Sequence, residues 1–216
     1  MDAQKIPGKV IIGAVIGFAA ILLLLSTYFS IEAGDRGIVL RFGQVNRVVE
    51  PGARFKIPFA EEVVRMSVRV QKTTTKTEAA SRELQTAQTT MVLHYSLDPA
   101  RTGEMYANIG LNFNERVIDP AIKESFKAAA ARYTAEELIS KRETLKTEVR
   151  NYLRERLHVF GINIVELSVT DFEFSAEFNR AIESKQTAEQ NALRAKRDLE
   201  RIKVEAEQKV TSAKAE

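Results

Sequence analysis

The side chains that could do chemistry are few and far apart. The 216-residue chain has no Cys and no Trp, and its two His, His94 and His158, lie 64 positions apart. Without Cys there is no disulfide, thiolate metal site, iron–sulfur cluster or cysteine nucleophile. Two His without a third companion do not make a histidine zinc site; one reads as a strand residue, the other as a helix residue. Glu136-Glu137 is the nearest thing to a carboxylate pair for acid–base work. Within Thr134-Ala135-Glu136-Glu137, however, those acids complete a capping box and favour a helix N-terminus. The hydroxyl-rich run Thr73-Thr74-Thr75-Lys76-Thr77 is β-branched and reads as a solvated strand end or edge. No phosphate-binding glycine loop, HExxH or GxSxG occurs. The sequence therefore predicts no catalytic residue, no cofactor, no metal and no enzyme.

Charge and hydropathy patterning point elsewhere. Lys and Arg number 32 against 29 Asp and Glu, a net charge of +3 that gives no reason to expect a nucleic-acid partner. The averages of 44% hydrophobic and 28% charged conceal two atypical segments. Residues 10–31 are 22 positions without a charge, and 10–25 hold only apolar residues and Gly. As a helix this segment is about 33 Å long, against a bilayer core of about 30 Å. It predicts an uncleaved single-pass anchor, with Val10, Gly13, Gly17, Leu22, Leu25 and Tyr28 among its spanning residues and membrane lipids as their surroundings. Gly13 and Gly17 form a GxxxG step at which two helices could approach. Lys5 and Lys9 before it are balanced by Arg36 and Arg41 after it, so charge alone leaves orientation undecided.

Residues 32–175 are long enough for one domain with its own core. Gly37 to Phe42 reads as a strand, Gly43-Gln44 as a turn, and Val45 to Val49 as the return strand of a hairpin. After the Pro51-Gly52 turn, Phe55, Ile57 and Phe59 alternate along an expected strand. Val64, Met66, Val68 and Val70 alternate along the next. Met91, Leu93, Tyr95 and Leu97 share one face of a strand at about 88–97. The period then becomes helical, with a helix starting or bending near Asp119-Pro120. A second helix follows the capping box, its stripe Leu138, Leu145, Val149, Tyr152, Leu153 and Phe160, and Gly161 ends it. Residues 162–174 return to extended structure. Strands, then helices, then a strand indicate an α+β fold.

From Ala176 to Glu216 there is neither Gly nor Pro, and Ser175 is well placed as an N-cap, so one helix of 41 residues is expected. Its eight acids and nine bases nearly cancel, many at four-residue spacing. Ile182, Leu193 and Val204 are eleven apart; so are Ala188, Leu199 and Val210, and Ile202 and Ala213. An eleven-residue repeat corresponds to about 3.67 residues per turn and nearly straight packing. A charged helix with so thin an apolar seam needs neighbours. Ile182, Leu193, Leu199, Ile202, Val204 and Val210 are accordingly the expected oligomer contacts. A single solvated helix or a coiled-coil dimer is the competing reading.

Glu32-Ala33-Gly34-Asp35-Arg36-Gly37-Ile38-Val39-Leu40-Arg41-Phe42-Gly43, followed by Pro51-Gly52-Ala53-Arg54-Phe55-Lys56-Ile57-Pro58-Phe59, resembles the opening of the SPFH (band 7) family. Ile109 to Val117, Ala131 to Ile139 and Phe174 to Gln186 resemble its prohibitin branch, while Leu40 to Gly43 leans towards the bacterial HflC type. The resemblance covers about residues 10–210. It implies an N-terminal transmembrane helix at 10–31 after a short tail at 1–9, an SPFH domain at 32–175 and an assembly helix at 176–216. It further implies a non-catalytic scaffold: rings or cages of many copies, with or without a related second subunit, that organise a membrane microdomain and enclose or regulate an FtsH-like membrane AAA protease. The implied location is the bacterial inner membrane with the domain in the periplasm, or the mitochondrial inner membrane with the domain in the intermembrane space. Phe55, Ile57 and Phe59 would then either rest on the bilayer surface or pack in the core. Family chains usually continue beyond the stretch that matches Glu216 with a roof-forming end, which leaves cage closure open here. A periplasmic adaptor of a transport complex is the alternative, although such adaptors insert a helical hairpin within the β domain; a membrane-anchored hydrolase is a further rival.

Overall fold

The computed structural model describes residues 8–170 and 172–215. Helix α1 runs from Gly8 to Thr27. It ends four residues before the expected limit of the anchor, because Tyr28–Ile31 forms strand β1 and pairs antiparallel with β4, Gly52–Phe55. Tyr28 is thus a strand residue whose ring meets the edge of Phe55 at 6.2 Å. Tyr, Phe and Ile in close succession favour extended backbone, and a partner strand is within reach. Among the described residues no helix is long and apolar enough to cross a membrane. The side chains of α1 positions 8–12, 15, 16, 19, 20 and 23 lie outside that description, Val10 among them. The tail at 1–7 also lies outside it.

Strands β2 (Asp35–Arg41), β3 (Gln44–Val49) and β5 (Glu61–Ser67) form an antiparallel sheet in the order β3-β2-β5. The β2–β3 hairpin turns through Phe42 and Gly43, both with positive φ, the two-residue geometry that fits the twist of paired strands. A second antiparallel sheet contains β6 (Gln71–Ala80), β7 (Thr86–Leu97) and β8 (Ile162–Val169), with β7 central. The alternation read along β7 is the core of the domain: Met91, Leu93, Tyr95 and Leu97 are all buried. The Thr73–Thr77 run lies on β6, an edge strand as expected, but it is not simply solvated. Thr75 and Thr77 face inwards, and the Thr75 hydroxyl donates to Asp119 at 2.6 Å.

Three helices and a π turn cover the second sheet or flank it, and a fourth helix lies against the first sheet. Helix α2, Thr102–Asn108, has no counterpart in the sequence reading; Gly103 lies against Val48 of β3, where a larger residue would collide. The π turn at Asn114–Ile118 leads into α3, Asp119–Ala130, with Pro120 in its first turn. Such a turn shifts the helical register and lets Asn114 accept from the buried Tyr95 hydroxyl at 2.6 Å. The expected second helix is two: α4, Ala135–Ser140, and α5, Arg142–His158, separated at Lys141. The capping box is complete, with Glu137 N–H donating to Thr134 Oγ1 and Thr134 N–H to the Glu137 carboxylate, each at 3.1 Å. Leu145, Val149, Leu153 and Leu157 form the buried stripe of α5, while Phe160 lies past its end and is exposed. Gly161, at φ +74, reverses the chain into β8.

Candidate membrane-facing apex and assembly helix

Three chain segments converge where α1 meets the first sheet. The Lys56 N–H donates to the Thr27 carbonyl at 2.8 Å, so the segment after β4 starts at the end of α1. At its other end the Phe42 N–H of the β2–β3 turn donates to Ala60 O at 3.2 Å. Residues 56–60 are therefore a short loop strung between α1 and the hairpin. They do not continue the expected strand, because Pro58 cannot donate to a ladder and Phe59 adopts φ +66. Phe55, Ile57 and Phe59 do not alternate, and none packs in the core. Their exposures are 70%, 51% and 95%, and Phe42 beside them is 82% exposed. Four large apolar side chains facing outwards along one loop and the adjoining turn are a feature a soluble surface avoids. Phe42 is expected as the last residue of the first strand, with the turn at Gly43-Gln44; the strand instead ends at Arg41 and the turn is Phe42-Gly43, where alternation carries no information.

The loop is held by a buried acid. The Glu61 side chain is fully enclosed and accepts from Arg41 Nη2 at 2.9 Å, Arg47 Nη1 at 2.9 Å and Nη2 at 3.1 Å, and Asn46 at 3.4 Å. Its Oε2 also accepts from the Ile57 N–H at 3.0 Å, and Arg47 Nη2 donates to Phe55 O at 3.1 Å. Foremost the Ile57 amide, then Arg47 and Arg41, hold the Glu61 carboxyl at about 2 against an ordinary 4.5, with burial opposing them. A lowered folded-state pKa stabilises the fold above pH 4.5 and loses that contribution as pH falls towards 2. A shift of this size corresponds to at most about 3.4 kcal/mol, and about 2 kcal/mol once solvent screening of the half-exposed arginines is allowed for. Acid titration of stability should accordingly be steeper between pH 4.5 and 2 in the parent chain than in Glu61→Gln. Equal slopes would show that the cluster is not coupled to folding.

The residues singled out for chemistry are not brought together. His94 lies on β7 and His158 at the end of α5. Glu137 caps α4 and pairs with Lys141 at 2.7 Å, which keeps its carboxyl below the usual range. Glu136 reaches Lys185 at 3.6 Å. Among the described residues no three His, Asp or Glu are grouped to hold a metal ion. A cleft of about 480 Å³ beside β6 is lined by Lys76, Lys123, Lys127, Thr77, Glu78 and Glu173 among others.

Helix α6, Ala176–Ala215, is capped where expected: the Phe178 N–H donates to Ser175 Oγ at 3.2 Å. Its root is tied to the domain by an aromatic series. Phe126 stacks on Phe172 at 6.2 Å, Phe172 meets Phe174 at 6.5 Å, and Phe174 meets Phe178 at 5.1 Å. Beyond the root, every position from 183 to 206 is exposed, including Leu193, Leu199, Ile202 and Val204; Ile182 is half-buried, and the side chain of Val210 lies outside the described residues. Of the expected four-residue ion pairs, Arg201–Glu205 closes at 3.8 Å. At about 100° per residue, Ile182, Leu193 and Val204 fall within about 40° of each other, while Ile202 and Leu199 lie about 180° and 240° away from Leu193.

Three antiparallel sheets, the helices packed on them and a long exposed C-terminal helix define an α+β domain. Residues 29–216 match the SPFH domain / Band 7 family. The chain is 34% identical to Prohibitin-7, mitochondrial, of Arabidopsis thaliana over all of its length and 81% of that protein's. It is 31% identical to Prohibitin-1 of Saccharomyces cerevisiae, over 87% of this chain and 66% of that one. Mitochondrial prohibitin complex protein 1 of Caenorhabditis elegans is 30% identical over 100% and 79%. The chain belongs to the SPFH/Band 7 family and, within it, is a prohibitin-like protein.

Proposed function

We propose that this protein is a non-catalytic scaffold subunit that assembles side by side on a membrane through α6. The observation that carries this reading is the exposed helix with apolar residues on two opposed flanks. A dimer needs one seam per helix, whereas a wall needs two, one for each neighbour. The near-equal charges along α6 let acids of one copy face bases of the next. The relatives favour the same reading, since one of them is named as a component of a prohibitin complex. A related second subunit is compatible with both observations. Enclosure of an FtsH-like membrane protease is the regulatory role such a wall would serve. No relative supports the transport-adaptor alternative.

Attachment to the membrane is read from the 22 uncharged residues at 10–31 and from α1 itself. Phe18, Ile21, Leu22, Leu24 and Leu25 are all exposed on it, and five such side chains in water call for a cover of lipid or protein. A lipid cover would put the apex formed by Phe42, Phe55, Ile57 and Phe59 against the bilayer surface. The mitochondrial names of two relatives favour a mitochondrial membrane over a bacterial one, and the inner membrane with the domain in the intermembrane space is the placement the family resemblance implies. Electron microscopy of detergent-extracted full chain is the direct test. Rings or arcs with regularly spaced subunits are expected; uniform monomers or dimers would end the scaffold reading.

A further inference from the structure

We propose that Glu61, through Arg47 and Arg41, is a positioning residue that presents Phe59 and Ile57 to the bilayer in a fixed conformation. The inference rests on the membrane-facing reading of the apex and adds the device that holds it ready. A loop carrying exposed aromatics would by default fold them inwards or move freely. Here residues 55–60 are fastened at both ends and in the middle. Lys56 N–H is bonded to Thr27 O, Arg47 to Phe55 O, Ile57 N–H to Glu61, and Phe42 N–H to Ala60 O.

The strain in the loop supports the same conclusion. Three non-glycine residues have positive φ among the described residues, and two of them, Phe42 and Phe59, are at this apex. Left-handed backbone is unfavourable for a bulky side chain and persists only where its surroundings enforce it. A buried carboxylate held by two guanidinium groups and a backbone amide is the enforcing element, since charge-assisted and bidentate hydrogen bonds are the strongest and most directional available. Both arginines are anchored on the β2–β3 hairpin, so the hairpin turn with Phe42 and the loop with Phe59 are fixed relative to each other. Pre-organisation of this kind increases binding by removing the ordering cost.

The chain has no Trp, so Phe59→Trp places a single indole fluorophore at the tip, and Leu84→Trp places one for comparison at an equally exposed turn on the other sheet. Full chain is reconstituted in vesicles of phosphatidylcholine brominated on one acyl chain. Quenching is expected in the Phe59→Trp chain and not in the Leu84→Trp chain. Adding Glu61→Gln or Arg47→Lys to Phe59→Trp should reduce its quenching about twofold or more, as the presented conformation becomes one of several. Thermal melts are run on the same samples. Arg47→Lys keeps a cation near Glu61 while losing the two-pronged grip on its carboxylate and the bond to Phe55 O, so it serves if Glu61→Gln does not fold. If the Phe59→Trp indole is quenched no more than that of Leu84→Trp, the membrane-facing reading fails and takes this inference with it. If it is quenched but neither lock variant changes the quenching while the melts shift, Glu61 is merely structural and the inference alone is overturned.

Discussion

Leu193→Lys and Ile202→Lys, introduced separately, should each dissolve the large assembly into small species while leaving the domain folded. The two residues lie about 180° apart on α6, so each belongs to a different flank. In a wall, one flank of every helix meets the opposite flank of its neighbour, and either substitution therefore damages every contact. Burying a Leu or Ile side chain contributes about 1.5–3 kcal/mol, all of which a lysine ammonium at the seam forfeits. About 2 kcal/mol is roughly a thirtyfold loss in each contact's association constant, and each interior copy makes two such contacts. A coiled-coil dimer behaves differently: one substitution abolishes pairing and the other, on the outer side, leaves it intact. Sedimentation velocity in detergent separates the outcomes. Large particles persisting in both single variants would remove α6 from the assembly. Melting of the domain should be unchanged, because the described part of α6 beyond its root is exposed along its whole length.

Much of the domain was readable because local chemistry and tertiary need coincide. Thr134 and Glu137 satisfy each other's backbone within four residues, so a capping box in the sequence is a capping box in the fold. The β7 alternation survives because a strand between two others, with helices on one face, has a fixed burial period. Where a distant partner decides, reading failed. Glu61 looks like half of an exposed Glu pair, yet it is buried because Arg41 and Arg47 arrive from a hairpin up to 20 residues away. Phe55, Ile57 and Phe59 alternate as a strand would, but β4 stops at Phe55, and Pro58 and the bond from Lys56 to Thr27 turn Ile57 and Phe59 into a loop. The end of the apolar segment at Tyr28–Ile31 belongs to β1 because β4 is there to pair with it, a contact that no hydropathy window contains. The break at Lys141 and helix α2 likewise depend on packing more than on periodicity. On α6 the eleven-residue spacing was visible in the sequence. Its consequence, two opposed flanks, needed a straight helix free of its own domain.

Phe126→Ala should strongly destabilise the domain, and its effect should reach α6. Phe126 is completely buried on α3, and removing such a ring from a packed core costs about 3–5 kcal/mol, a large part of a domain's total stability. The same ring starts the aromatic series that runs through Phe172 and Phe174 to Phe178 in the first turn of α6. Phe174→Ala separates the two consequences. Phe174 is only partly buried, so its loss should cost clearly less than that of Phe126, while cutting the series between domain and helix. If the series sets the direction in which α6 leaves the domain, the angle between them should broaden in Phe174→Ala although the domain remains folded. The Cys-free chain allows this to be measured directly: Ser140→Cys with Thr187→Cys carries two spin labels, and dipolar spectroscopy reads the distance distribution between α4 and α6. A narrow distribution in the parent that widens in Phe174→Ala is the expected result. An unchanged distribution would mean that the Lys185–Glu136 pair at 3.6 Å and the Ser175 cap suffice to orient the helix. A wall of parallel helices requires each copy to project α6 at the same angle, so a widened distribution should also yield irregular particles. Smaller particles are the signature of lost flank contacts, and irregular ones of a lost angle, which keeps the two variants distinguishable in the same micrographs.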